Sequence, residues 1–158
     1  MSNFSEGYFY NPTCGNITVP QMIDEILRYK KEKPERFYEI IVGCDSSSGQ
    51  EPFFPVVVVV LRKGEGGRFF LKRVAYKDRK FYTWKTRILE EVMLSCEFAL
   101  FLREKLGNQV RYIHADIGEN GATKDMIREV TGLIRGNGFE PKIKPDSFVA
   151  SSVADRYS

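Results

Sequence analysis

The apolar residues of this 158-residue chain change their spacing along the sequence, and the order of these changes restricts the fold more than any other feature. A helix is predicted after Thr18, which has capping-box spacing to Gln21. The segments after it alternate between strand spacing and helical spacing. In chain order they are strands 37–45, 56–62 and 68–76, helix 82–106, strand 110–116, a helix that Thr123 caps, strand 139–144 and helix 148–157. Three consecutive strands followed by helix–strand alternation predict a mixed sheet flanked by helices.

This element order is the one that the ribonuclease-H-like fold uses. We therefore predict an α/β protein of that fold, with a five-stranded mixed sheet built as a three-strand meander followed by β-α-β-α, and with an extra N-terminal helix. The length fits one domain, and no linker or internal repeat is visible, so residues 1–158 are predicted to form a single domain. Residues 1–17 show no periodicity and are predicted to be an irregular arm.

Composition restricts the cellular setting. No stretch reaches the ~18 consecutive apolar residues of a membrane helix, and the N-terminal residues lack the basic-then-apolar layout of a secretory signal. The three cysteines, Cys14, Cys44 and Cys96, are widely spaced and form neither a CxxC pair nor a disulfide framework. These features predict a reduced, cytoplasmic protein that does not associate with membranes.

Two aspartates follow predicted strands: Asp45 ends the first strand and Asp116 ends the fourth. Ligands of an open α/β sheet bind outside the carboxyl ends of its strands. If these two strands are parallel neighbours, the carboxylates lie about one strand spacing apart, ~4.8 Å, and they repel unless a cation or a proton lies between them. Oxygen ligands suit Mg²⁺ or Mn²⁺, and no histidine or cysteine cluster indicates zinc.

Two more acidic residues can complete this site, Glu91 on the long helix and Asp155 on the terminal helix. Glu90 is an alternative to Glu91, because adjacent helical residues point about 100° apart and only one of them can face the crevice. Four carboxylates can hold two ions ~3.5–4 Å apart, the arrangement used in phosphodiester hydrolysis. Each acid can instead be a helix cap or a surface charge. The single histidine, His114, can carry a proton near Asp116 or be packed in the core.

Positive charge is concentrated in residues 61–87, where ten lysines and arginines stand against two acidic residues, a local charge of +8 in a chain of net charge +3. Aromatic residues alternate with these charges, a mixture typical of a surface that binds a phosphate backbone and stacks bases. A solvated hairpin whose aromatics face the core has the same composition. The residues predicted to contact nucleic acid are Arg68, Lys72, Arg73, Lys77, Arg79, Lys80, Trp84 and Lys85, with Lys142 and Lys144 on the last strand.

Several segments resemble the YkuK-type family of bacterial proteins, which are predicted to be ribonuclease-H-like. The matching segments are 42–46, 115–118 with Thr123 and Lys124, 138–146, and 149–156. The resemblance runs over nearly the whole chain and implies the fold and a site made of Asp45, Glu91, Asp116 and Asp155. It favours Glu91 over Glu90 because Glu91 matches the family's glutamate after Arg87-Ile88. The chain departs from the family's Gly-Thr-Asp-Ser-Gln at Cys44 and Ser47, and the position of Asp155 is asparagine in some relatives.

These features predict a nuclease that uses Mg²⁺ or Mn²⁺ and acts on RNA, on an RNA–DNA hybrid or on DNA, with RNA or the hybrid as the favoured partner. The alternative is a non-catalytic module of the same fold that binds nucleic acid or a protein. A third interpretation, a nucleotide-binding protein, comes from residues 116–124, which resemble the phosphate loop of actin-like ATPases. That segment lacks the GxxxxGK[ST] spacing of a Walker loop.

Overall fold

A mixed β-sheet organises the chain, which a computed structural model describes over residues 4–145. Within those residues the sheet has seven strands in the order β2-β1-β5-β4-β3-β6-β7. The strands are β1 Tyr8–Asn11, β2 Gly15–Thr18, β3 Tyr38–Cys44, β4 Phe54–Arg62, β5 Gly66–Val74, β6 Val110–His114 and β7 Glu140–Lys142. The helices are α1 Val19–Glu32, α2 Trp84–Leu106 and α3 Ile127–Gly136, with short 3-10 turns at Gly107–Gln109 and Ala122–Met126.

The predicted α/β class and ribonuclease-H-like architecture are confirmed. Strands β3, β4 and β5 form the antiparallel meander, and β6 returns parallel to β3 after helix α2. The predicted number of five strands is wrong, because a hairpin of β1 and β2 extends the sheet beyond β5. This hairpin lies in the segment that was predicted to be irregular.

The hairpin is stabilised by the burial of an aromatic ring and by hydrogen bonds between a side chain and the backbone of its turn. Phe9 is fully buried, and its ring stacks on that of Phe98 from α2, with the ring centroids 5.1 Å apart. The Asn11 carboxamide accepts hydrogen bonds from the backbone N–H groups of Thr13 and Cys14 and donates one to the Phe69 carbonyl. Strands of four residues are too short for a readable alternation, so the periodicity of the sequence does not reveal them.

The core lies between the sheet and helices α1, α2 and α3. On β4, Val56, Val58 and Val60 face this core, while Val57 and Val59 pack with Leu71 on the opposite face of the sheet. Helix α2 packs on β3, β4 and β6, with residues buried along its length. The parallel pair β3 and β6 is therefore packed against helix α2, and its register positions the residues that follow each strand.

Several element boundaries differ from the predicted ones. Helix α2 starts at Trp84 with Thr83 as its cap, and β7 is shorter than the predicted strand 139–144. Thr123 lies inside a 3-10 turn that precedes α3 and does not cap that helix. The predicted terminal helix 148–157 lies outside the described residues. No helix found in residues 4–145 is long and apolar enough to cross a membrane.

The capping box predicted at Thr18 is present, and its removal is expected to weaken helix α1. The Thr18 side chain accepts a hydrogen bond from the Gln21 N–H, and the Gln21 side chain accepts one from the Thr18 N–H. Replacing Thr18 with alanine is expected to lower the free energy of unfolding by about 1 kcal/mol, as measured by urea denaturation. Thr13→Ala, in the exposed β1–β2 turn, is the control, and an equal loss in both variants would contradict the capping role.

Candidate functional site

Asp45 and Asp116 lie side by side just beyond the ends of two adjacent parallel strands. The register of β3 and β6 pairs Gly43 with His114, so each aspartate lies two residues beyond its member of this pair. β3 and β6 are thus parallel neighbours, which is the condition stated above for the two carboxylates to lie close together. Both aspartates line one cleft of about 320 Å³, to which Glu91 of helix α2 also contributes. Three of the four predicted site residues therefore share a cleft, and the fourth, Asp155, lies outside the described residues.

Glu91 is buried at the base of this cleft, with 5% of its surface exposed. One carboxylate oxygen accepts two hydrogen bonds from Ser46, from the backbone N–H at 3.0 Å and from the hydroxyl at 2.6 Å. Burial raises the pKa of Glu91 from 4.5 to about 7, and the nearby charge of Asp116 adds to this rise. The Ser46 hydrogen bonds and the positive charge of Arg87 oppose it. Ser46 therefore fixes the direction of the Glu91 side chain.

Glu90 points away from the cleft and towards the basic segment. The Tyr76 hydroxyl donates a hydrogen bond to one of its carboxylate oxygens, and the Arg79 guanidinium donates to the other at 2.9 Å. Glu90 does not line the cleft that Glu91 lines. Of the two adjacent glutamates, Glu91 is therefore the one that the fold brings to the aspartates.

Lys144 places a positive charge in the same cleft. Its ammonium Nζ lies 2.8 Å from Oδ1 of Asp116. This hydrogen bond to Asp116 raises the pKa of Lys144, and the charges of Asp116 and Asp45 contribute in the same direction. The sequence predicted Lys144 as a nucleic-acid contact. The structure places its ammonium beside the acidic residues of the cleft.

The donors of the cleft suit a hard divalent cation. Considering residues 4–145, no group of three histidine, cysteine, aspartate or glutamate side chains is close enough to hold a metal ion by itself. Mg²⁺ usually keeps several waters and takes one or two protein carboxylates, with substrate phosphate filling other positions. Asp45 and Asp116 provide such carboxylates, and the described cleft lining includes neither histidine nor cysteine. These residues fit Mg²⁺ or Mn²⁺ with a largely aqueous shell.

The predicted nucleic-acid residues fall into two groups. One group is exposed in the loop that leads from β5 into the first turn of α2, and it consists of Lys77, Arg79, Lys80, Trp84 and Lys85. Trp84 lines the cleft directly. The other group lies on strands: Arg68 stacks over Tyr29, Lys72 donates to the Glu6 carbonyl, Lys142 lies over Tyr112, and Arg73 is exposed on β5.

The interleaved aromatic residues also divide, into rings that are buried in the core and rings that are exposed. Phe70 and Phe81 are buried in the core, as expected for an ordinary hairpin. Tyr82 is 72% exposed and Trp84 36% exposed near the cleft. Exposed aromatic rings with exposed positive charges nearby are the arrangement that binding of single-stranded nucleic acid by stacking requires.

Sequence reasoning did not assign three polar residues of the cleft lining to the site: Ser46, Arg87 and Thr123. The position of Ser46 directly after Asp45 was the available signal. Thr123 accepts a hydrogen bond from the Gly118 N–H at 3.0 Å and closes the loop 116–124 on itself. That bond occupies an amide that a phosphate loop would need, which disfavours the nucleotide-binding interpretation.

His114 and Cys44 are buried among packed residues. Both precede the cleft aspartates on strands β6 and β3. Burial raises the pKa of the Cys44 thiol well above its usual range, and nearby carboxylates add to the effect. Cys44 is therefore a core residue with an unreactive thiol.

Comparisons with known proteins agree with this architecture. A family model described as "Ribonuclease H-like" matches residues 21–158. Among curated proteins, the chain is 29% identical over 166 residues to "Uncharacterized protein YkuK" of Bacillus subtilis (strain 168), and the alignment covers 95% of this chain and 96% of that protein. No solved structure matches the chain significantly.

Proposed function

The chain belongs to the ribonuclease H-like family, in its YkuK-type group, and from this premise we propose that it is a divalent-metal-dependent nuclease. The observation that carries the proposal is the cleft that Asp45 and Asp116, beyond the ends of two parallel strands, line together with Glu91 of helix α2. The reaction is hydrolysis of a phosphodiester bond in RNA, in an RNA–DNA hybrid or in DNA, and the cysteine pattern supports a cytoplasmic setting for it.

Each cleft residue has a separate role in this proposal. Asp45 and Asp116 bind the cation, and Glu91, held by Ser46, orients the scissile strand or a water beside it. A bound Mg²⁺ or Mn²⁺ supplies a water of lowered pKa and positive charge for the phosphate. Asp155, outside the described residues, is retained as the fourth carboxylate.

The nucleic acid enters along the loop that precedes helix α2. Tyr82 and Trp84 present exposed rings for stacking, and Lys80 and Lys85 beside them present positive charge for the phosphate backbone. Trp84 lies on the cleft itself, so a base stacked there brings the next phosphates within reach of Asp45 and Asp116. RNA or an RNA–DNA hybrid is the favoured partner.

The first test combines ion binding with cleavage. At an ion concentration 100-fold above its dissociation constant, Mn²⁺ is expected to stabilise the fold by ~2.7 kcal/mol and to raise the Tm by roughly 5–10 °C. Labelled RNA, DNA and hybrid strands are expected to be cut with Mg²⁺ or Mn²⁺ and to stay intact with EDTA. If no ion changes the Tm and no strand is cut, the nuclease proposal is wrong.

A non-catalytic binding module is the second candidate, and the ion pair of Lys144 with Asp116 favours it. An aspartate neutralised by a lysine can serve the fold without any metal ion. This candidate predicts nucleic-acid binding that weakens with salt and survives the double substitution of Asp45 and Asp116 by asparagine. The nuclease proposal predicts that the same double variant no longer responds to Mn²⁺ in thermal unfolding.

A further inference from the structure

Lys144 follows the last described strand and reaches back to the carboxylates at the ends of two other strands. Its ammonium lies 2.8 Å from Oδ1 of Asp116, and Lys144 and Asp45 line the same cleft. Surface lysines usually extend into solvent, because holding the long side chain in one geometry costs rotamer entropy. The direction of this side chain therefore depends on what fixes its backbone.

The backbone of Lys144 is fixed against the loop that carries Asp116. The Lys144 N–H donates to the Ile117 carbonyl at 2.8 Å. Gly118 lets the two segments approach, since a Cβ at that position would lie 3.0 Å from the Cβ of Lys144. The main chain of Lys144 is thus held against the loop that carries Asp116, and the ion pair adds to these main-chain contacts.

Charge balance explains what this placement achieves. Two carboxylates on adjacent strands repel each other unless positive charge lies near them. In two-ion nucleases a second metal ion supplies such charge and also stabilises the leaving oxygen. An ammonium group at hydrogen-bond distance supplies one positive charge and can donate to a phosphate oxygen.

We propose that Lys144 takes the place of one of the two cations, so that the cleft binds a single divalent ion. This inference rests on the proposed nuclease function and deepens it, because the four-carboxylate site predicted from the sequence allowed two ions. Lys144 then neutralises Asp116 in the free protein and contacts a phosphate oxygen when nucleic acid is bound. It is a positioning and charge-balancing residue of the site.

The number of ions bound per chain tests this role without any activity assay. Isothermal titration with Mn²⁺, supported by electron paramagnetic resonance of free Mn²⁺, is expected to give one ion for the wild-type chain and two for Lys144→Met. Lys144→Arg keeps the positive charge and is expected to bind one ion. Lys142→Met is the matched control, because Lys142 lies on β7 over the Tyr112 ring, and it is expected to bind one ion.

The possible outcomes separate this inference from the function on which it rests. Two ions in the wild type, or one ion in both the wild type and Lys144→Met, would overturn the role of Lys144 and leave a metal-dependent nuclease standing. No ion bound to any variant would overturn both. Lys144→Gln is prepared in parallel, and circular dichroism checks the fold of each variant, so that one poorly folded variant cannot decide the result.

Discussion

Replacing Asp116 with asparagine is expected to lower metal-dependent cleavage about a thousand-fold while leaving the fold intact. Asparagine keeps the shape of the side chain and one oxygen, but it removes the negative charge that the proposed cation needs at the ends of β3 and β6. Losing one preorganised electrostatic contact at a reacting centre costs ~10²–10³ in rate, and weaker ion binding adds to this loss. The measurement is the initial rate of cleavage of a labelled strand across a range of Mn²⁺ concentrations.

A matched control separates this effect from a general loss of charge. Asp125 is exposed in the 3-10 turn that precedes α3, outside the cleft, and Asp125→Asn is expected to cleave at the wild-type rate. The Asp116 variant also loses its ion pair with Lys144, a partly exposed pair whose loss is expected to cost no more than about 1 kcal/mol. Cleavage by Asp116→Asn at the wild-type rate would show that the reaction does not use this cleft.

The aspartate positions were predictable because they depend on backbone topology. An apolar run such as Val56–Val60 identifies a buried strand, and a strand count with its helical crossovers fixes which strands run parallel. Asp45 and Asp116 lie within two residues of the ends of such strands, so their proximity requires only that β3 and β6 are neighbours. No detail of side-chain packing enters that inference.

The partners of these acids were not predictable, because they depend on how loops close. Lys144 meets Asp116 only because its N–H bonds to Ile117 after β7 has ended. The choice between Glu90 and Glu91 required the family resemblance, since helical spacing allows either. The structure explains the choice through contacts from the loop that precedes helix α2, where Tyr76 and Arg79 bind the Glu90 carboxylate.

Counting charges overstated the basic surface for a similar reason. Arg62 belongs to the segment of local charge +8, yet its side chain is buried, with the guanidinium 3.9 Å from the centre of the Tyr29 ring. It donates to the Tyr29 carbonyl and to Glu32. A sequence shows which residues carry charge, but whether an arginine faces solvent or packs between aromatic rings is decided by tertiary structure.

Glu91 is a destabilising residue that the fold nonetheless keeps in the cleft. A buried carboxylate prefers to be protonated, and a rise in pKa from 4.5 to about 7 corresponds to about 3 kcal/mol of free energy. A neutral residue of the same size would avoid this cost. Retention of an unfavourable charge in a cleft is typical of functional sites, where stability is given up for chemistry.

Replacing Glu91 with glutamine is therefore expected to stabilise the protein at alkaline pH. Below about pH 4.5 the Glu91 carboxyl is neutral in the folded and unfolded chains, and its contribution to stability is fully present. As the pH rises towards and through 7, the unfolded chain gives up the proton first, so stability falls. Glutamine does not titrate and can still accept the Ser46 hydrogen bonds, so the advantage of the variant is expected to grow to about 3 kcal/mol by pH 8.

Urea denaturation of the wild type and Glu91→Gln between pH 4.5 and 8.5, in EDTA, measures this difference. Comparing the two proteins at each pH cancels the titration of every other group that both share. Glu119→Gln, in the exposed loop after β6, controls for the loss of one negative charge from the surface. A difference that does not change with pH would show that the Glu91 carboxylate is well solvated in the folded protein. A difference that grows as expected would show that burial in the cleft disfavours the charged form of Glu91. A cation or a substrate group bound there could then favour that charged form.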